Sequence, residues 1–313
     1  MAWLEITVNT KPGGVETLAT ALTGLGFEDF CIEDQQEFES FLEENREYWD
    51  YIDEGLQQEL QGLSRIKLYI EDTDTGSLET LRRFSKDRGL SMTEKLLPDT
   101  DWSESWKESY PPQEVGLDLV VLPYWLADTY EGDRKPVILD PGLTFGTGAH
   151  PSTQMVMETM EETLIPGSRC LDLGSGSGIL SITALRLGAQ EALGVDIDPK
   201  AEDIARENAA YNGFAAPAFT ALTGNVTADK GLMERLSQKE YGLVLVNIVA
   251  DVIIGLSPVL PEFLGEDTVL ICSGILDNRL PEVLEALQQA GLSVTGIREK
   301  EEWRCVTARR ASL

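Results

Sequence analysis

From Arg169 to Gly274 the chain alternates short apolar runs with amphipathic ones, and this alternation constrains the fold more than any other feature. "RCLDLG", "EALGVDI", "AFTALTG", "YGLVLVNI" and "DTVLICSG" read as buried strands. "ILSITALRLG", "PKAEDIARENAAYNG", "GLMERLSQ" and "DVIIGLSPVLPEFL" read as the helices between them. Short apolar strands joined by amphipathic helices build a parallel, doubly wound sheet covered on both faces. Strands near 118–123 and 135–140 precede this block, followed by a glycine-rich segment, "DPGLTFGTGAHPSTQMVMETM", that feeds a helix.

The first hundred residues follow another pattern. "WLEITV" alternates strictly, with Leu4, Ile6 and Val8 on one face, as a half-buried strand does. A helix over 14–24, a strand near "FEDFCIE", an alternating "RIKLYIE", a helix near 77–88 and a strand near 91–97 complete a βαββαβ order. That order predicts a small ferredoxin-like α+β domain over residues 1–97, a recognition module without chemistry of its own. Residues 98–116 read as an interdomain linker, with Trp102 and Trp106 one helical turn apart and Pro111-Pro112 ending any helix. Residues 117–313 form the second domain.

Net charge is −29, and between residues 28 and 62 thirteen Asp/Glu stand against one cation, Arg46. Such a field repels a nucleic-acid backbone and favours a basic partner, so direct nucleic-acid binding is not expected. It also serves solubility in general. No apolar run reaches the length of a membrane span, since Asn247 and Asp251 interrupt "GLVLVNIVADVIIGL". The start "MAWLEITVNT" has no basic region ahead of an apolar one. Cys31, Cys170, Cys272 and Cys305 are scattered without CxxC pairs, which argues against zinc, and no metal is expected. A cytoplasmic chain is the expectation.

The turn "DLGSGSGIL" carries the chemistry. A dinucleotide fingerprint needs G-x-G-x-x-G, but the glycines here are Gly174, Gly176 and Gly178, with Ile179 where the third would stand. Asp172 precedes them by two residues. A pyrophosphate at a helix N-terminus gains nothing from an adjacent carboxylate, whereas a ligand carrying an ammonium and a sulfonium does. S-adenosylmethionine carries both, and glycines allow close backbone approach to its amino-acid tail. Asp196 ends the second strand of this block, where a carboxylate accepts from both ribose hydroxyls. NAD enzymes share that feature. The closing "LSVTGIREKEEWRCVTARR" reads as an antiparallel hairpin, an ending of class I methyltransferases and not of nicotinamide dehydrogenases.

Asn247 ends a buried strand at the carboxyl edge, where such sheets bind ligands. Its carbonyl can hold an acceptor N–H and aim the lone pair at a methyl group; alternatively it caps the helix that follows. His150 is the single histidine, and with Pro151 after it a capping role at a helix start outweighs a catalytic one.

"DPGLTFGTGAHPST", "LDLGSGSGILSITALRLGA", "NIVA" and "SGIL" occur in this order, with "W-x-x-x-W-K" and an N-terminal "W-x-x-x-x-x-N-T". Together they resemble the PrmA family, methyltransferases of ribosomal protein eleven of the large subunit, over nearly the whole chain. The resemblance implies an α/β fold: a doubly wound class I methyltransferase sheet with a terminal antiparallel hairpin, preceded by the ferredoxin-like domain. It implies S-adenosylmethionine as methyl donor, contacted by Thr153, Gly174, Gly176, Asp196 and Asn247, with Asn247 also at the reacting amine. The segment Phe145-Gly146-Thr147-Gly148 would close over the methionine end. The N-terminal domain would capture the ribosomal protein, whose α-amine or lysine ε-amines are the acceptors. Ser175 stands where the family often has Cys. A same-fold enzyme acting on another protein or a small molecule, a nicotinamide oxidoreductase and a non-catalytic ribosome-binding factor are the competing readings.

Overall fold

The computed structural model of the chain describes residues 3–27, 30–35, 62–97, 110–141 and 148–311. The acidic run from 36 to 61, Trp102, Trp106 and the Phe145-Gly146-Thr147 stretch lie outside them. The chain divides into two compact units, Met1–Ser109 and Tyr110–Leu313.

The first unit contains β1 (Trp3–Asn9), α1 (Val15–Thr23), β2 (Phe30–Asp34), β3 (Ser64–Glu71), α2 (Thr75–Arg88) and β4 (Ser91–Leu97). The strands lie in the order β2-β3-β1-β4, with every pairing antiparallel, as in a ferredoxin-like sheet. Register follows from the two-residue period: Ile6 sits opposite Leu68 and Val8 opposite Ile66, so one face collects the apolar set. Those residues are buried against Val15, Leu18 and Leu22 of α1 and Leu78, Leu81 and Phe84 of α2. Local signals bound α2. The Asp74 carboxylate accepts from the Ser77 amide at 3.0 Å, and Gly89 closes the helix in the left-handed region at φ 65°.

The second unit opens with β5 (Gln113–Val115), β6 (Leu119–Pro123) and β7 (Lys135–Leu139), a small sheet in that order. β5 falls within the segment read as linker. Three residues behind two prolines carry no readable period, so only pairing with β6 reveals the strand. Then come α3 (Pro151–Thr163), β8 (Arg169–Leu173), α4 (Ile179–Arg186), β9 (Glu191–Asp196), α5 (Pro199–Tyr211) and β10 (Phe219–Thr223). After α6 (Lys230–Ser237) follow β11 (Leu243–Asn247), α7 (Ala250–Leu256), β12 (Val269–Leu276), α8 (Leu280–Gln289), β13 (Leu292–Lys300) and β14 (Trp303–Arg310).

The large sheet runs β10-β9-β8-β11-β12-β14-β13. The pairings from β10 to β12 are parallel, and β14 inserts antiparallel between β12 and β13. This is the class I methyltransferase sheet with its terminal hairpin. Its strands are covered on both faces, which is why they read as unbroken apolar runs. In β11, Leu243 and Leu245 join one core while Val244 and Val246 join the other. Cys170, Cys272 and Cys305 are free thiols buried in these cores, and Cys31 is exposed. No helix among the described residues is long and apolar enough to cross a membrane.

Leu245 is fully buried at the centre of the sheet. Leu245→Ala should cost about 2–5 kcal/mol, the range for an unfilled core cavity, measured by urea denaturation followed by circular dichroism.

Candidate active site

Because β8, β9, β11 and β12 are parallel, their carboxyl ends share one edge. Leu173 pairs with Val195 and Val246, and Asn247 with Ser273. The residues immediately beyond are Gly174, Asp196 and Asn247. The edge is where order reverses about β8, the usual ligand crevice of an open α/β sheet.

After Leu173 the backbone turns sharply: Gly174, Gly176 and Gly178 all have positive φ, at 77°, 49° and 79°. A Cβ at 174 would lie 2.5 Å from Cγ2 of Ile248, and one at 178 only 3.0 Å from Cβ of Ala205. The turn is stitched to β9 by the Gly174 amide, which donates to the Val195 carbonyl at 2.8 Å. Asp196 adds a second stitch. Its Oδ2 accepts from the Gly176 amide at 2.8 Å and its Oδ1 from the Asp198 amide at 3.0 Å. Each oxygen has a further lone pair, so the carboxylate is aimed and still able to accept.

Thr153 comes from a distant part of the chain. It lies in the first turn of α3, buried, and its Oγ1 accepts from Nδ2 of Asn247 at 3.2 Å. Asn247 does not cap the following helix, whose N-cap is Val249. With Nδ2 committed, Oδ1 of Asn247 has no partner among the described residues. The start of α3 is pinned from below by Ser273, whose hydroxyl lies 3.2 Å from the Ser152 carbonyl and is itself fully buried. The structure thus brings Thr153, Gly174, Gly176, Asp196 and Asn247 to one edge of the sheet. Of the Phe145–Gly148 segment only Gly148 is described, at φ 86° with Val121 and Ile179 against it.

His150 is the N-cap of α3. The Ser152 amide donates to Nδ1 at 3.3 Å, and the ring packs edge-on to Trp303 with centroids 4.5 Å apart. Burial holds its pKa below the ordinary value, in keeping with a neutral ring that accepts at Nδ1.

Two features escaped the sequence reading. The first is Ile197, a large apolar side chain 69% exposed and next in sequence to Asp196. The other is the state of Asp172. Its Oδ2 accepts from the amide and hydroxyl of Ser181, at 3.1 and 2.8 Å, tying β8 to α4. Its Oδ1 is buried with no hydrogen-bond partner. Burial raises its pKa to about 7, opposed by the Ser181 hydrogen bonds and reinforced by the Asp196 charge. No sequence pattern separates a carboxylate with both oxygens paired from one with a bare oxygen. Among the described residues, no group of His, Cys, Asp and Glu could hold a metal ion.

A folded-state pKa raised from 3.8, the ordinary value of an aspartate, means the folded protein binds more protons than the unfolded chain between pH 4 and 7. Stability from this group is therefore complete below about pH 4 and lost as pH rises through about 7. Asp172→Asn, which keeps an acceptor for Ser181, should gain stability relative to wild type across that window, on the order of 4 kcal/mol at most. Urea titrations from pH 4 to pH 8 check this; parallel pH profiles for both proteins would refute it.

The family model for ribosomal protein L11 methyltransferase (PrmA) matches residues 2–311. A ribosomal protein L11 methyltransferase of Desulfitobacterium hafniense is 36% identical over 329 residues, spanning 100% of both chains. Its counterpart in Heliobacterium modesticaldum is 32% identical over 322 residues, covering 100% of this chain and 99% of the relative. The crystal structure of a ribosomal protein L11 methylase from Lactobacillus delbrueckii subsp. bulgaricus superposes with a TM-score of 0.58 at 30% identity, covering 65% of this chain and 100% of that one. With the methyltransferase sheet and its carboxyl-edge crevice, these matches make the chain a member of the ribosomal protein L11 methyltransferase (PrmA) family.

Proposed function

We propose that the chain transfers methyl groups from S-adenosylmethionine to amino groups of ribosomal protein L11, α-amine or lysine ε-amines, at the crevice beside Gly174. The observation that carries this reading is the Thr153–Asn247 hydrogen bond, which leaves one amide oxygen free next to the glycine turn. The cofactor fits what the site offers. Asp172 presents a buried carboxylate oxygen without a donor, suited to a cationic ligand, and the turn leaves no room for side chains at 174. Gly174 and Gly176 would receive the methionine end, Asp196 the ribose hydroxyls and Ile197 the apolar face of the adenine. Thr153 would border the sulfonium side.

S-adenosylmethionine would supply an electrophilic methyl on sulfur: the N–C bond to a neutral amine forms in line as the C–S bond breaks, S-adenosylhomocysteine leaves, and the extra proton on nitrogen passes to water. Oδ1 of Asn247 accepts one N–H of that amine and so aims its lone pair, while Thr153 holds the amide plane. Alignment of this kind contributes up to about 7–11 kcal/mol of a barrier in favourable cases. A lysine with an ordinary pKa near 10.4 must lose its proton before attack, and an α-amine near 8 does so more readily. His150 is committed at Nδ1 to its own helix, which supports a capping role over a catalytic one.

Residues 1–97 would serve as the substrate-recognition domain; the catalytic domain, read from the sequence as 117–313 behind a linker at 98–116, would begin earlier and include β5 (Gln113–Val115). Ribosomal proteins are basic because they bind RNA, and a chain of net charge −29 offers such a partner electrostatic complementarity. The same charge disfavours direct contact with nucleic acid, and neither a membrane nor a metal enters the reading, which suits a cytoplasmic enzyme.

The direct test is the intact mass of ribosomal protein L11 after incubation with the enzyme and S-adenosylmethionine. Mass steps of one methylene each support the reading; an unchanged mass with folded enzyme refutes it. Asn247→Ala should lower kcat by about 10- to 100-fold while the KM for L11 changes little, the signature of an interaction made in the transition state. A chain lacking residues 1–97 should keep its cofactor Kd within a few-fold and lose nearly all L11 methylation. Near-normal kcat/KM in that truncation would move recognition to the catalytic domain.

A further inference from the structure

Among the described residues β7 has one strand neighbour: on one side it pairs with β6, and on the other it meets α5. Two asparagines one helical turn apart supply the missing pairing. The amide of Asn212 behaves like a strand residue: the Ile138 amide donates to its Oδ1 at 2.9 Å, and its Nδ2 donates to the Ile138 carbonyl at 2.6 Å. Two residues on, the Asp140 amide donates to Oδ1 of Asn208 at 2.9 Å. Asn208 differs from Asn212 in where its other end goes. Its Nδ2 donates at 2.8 Å to the carbonyl of Ser177, inside the glycine turn. The side chain is 1% exposed, and Ala205, one turn earlier on the same face of α5, packs against Gly178.

One buried amide therefore ties the glycine turn to Asp140, the first residue beyond β7. We infer that Asn208 is a positioning residue for methyl transfer, holding the glycine turn in register with the end of β7. This deepens the reading given under Proposed function and rests on it. The physical case is that a buried carbonyl and a half-buried amide on two separate segments are both satisfied by a single rigid, planar group. Neither segment can shift without leaving one of them unpaired. Asn212 provides the comparison: it secures the same edge of β7, and its other side-chain bonds go to the Asn208 carbonyl at 2.8 Å and to Arg186 at the end of α4 at 3.0 Å, not to the turn itself.

The test compares Asn208→Asp, Asn208→Ala and Asn212→Ala in the full-length chain. Asn208→Asp keeps an acceptor for the Asp140 amide and loses the donor to Ser177, so it separates the two bonds. The measurements are thermal midpoint, Kd for S-adenosylhomocysteine, kcat and KM for L11, and hydrogen exchange at the amides of 176–181. All three variants should melt at lower temperature. Only the Asn208 variants should weaken S-adenosylhomocysteine binding, by at least tenfold, with faster exchange at 176–181, lower kcat and an unchanged KM for L11. Asn212→Ala should leave the Kd within about twofold of wild type. If Asn208 and Asn212 variants change the Kd equally, or Asn208→Asp leaves both Kd and exchange untouched, the residue is structural only and the inference fails. A wild-type chain that binds no S-adenosylhomocysteine overturns the proposed function itself, a result distinct from either of these.

Discussion

A Cβ at residue 174 would collide with Ile248, because β8 and β11 are adjacent strands that end at the same level. With φ positive there as well, only glycine sits at this position without strain, and the turn lies close beside the end of β11. Most of what surrounds the site holds this geometry in place. Val195 and Asp196 stitch the turn to β9, Ser181 anchors the following helix to Asp172, and Ser273 fixes the start of α3.

The charges at the crevice are unequal in kind. Asp196 accepts two backbone amides and is partly exposed. Asp172 is buried and has a bare oxygen, so its ionised form is costly in the folded chain without a ligand. A cationic ligand next to Asp172 would relieve the cost, whereas an anionic one would add to it. That asymmetry is the physical ground on which a sulfonium ligand is favoured over a dinucleotide.

The architecture of the second unit was legible because its strands are covered on both faces and its helices on one, two patterns with different periods. The same holds for Ile6, Val8, Ile66 and Leu68, whose alternation announces a half-buried antiparallel sheet. Strand β5 was not legible, since three residues after two prolines have no period and exist as a strand only through β6. At the site, Gly174, Gly176, Asp196 and Asn247 could be singled out from spacing, because each follows a strand whose end is readable. Thr153 came from the family resemblance alone.

What the sequence by itself determined is therefore periodic or local: which runs are strands, which face is apolar, where the turn needs glycine, where His150 caps α3. Pairing between remote polar groups was decided by the tertiary structure. Asn247 reaches Thr153 across 94 residues, and Asn212 reaches Ile138 across 74. The amide of Asn208 bridges Ser177 and Asp140 in the same way. Hydrogen bonds are short-ranged and directional, so whether a buried Asn binds its own helix, a neighbouring edge or nothing depends on ångström-level placement. Apolar burial tolerates far looser placement, and for that reason it leaves a mark in the sequence that a single polar contact does not.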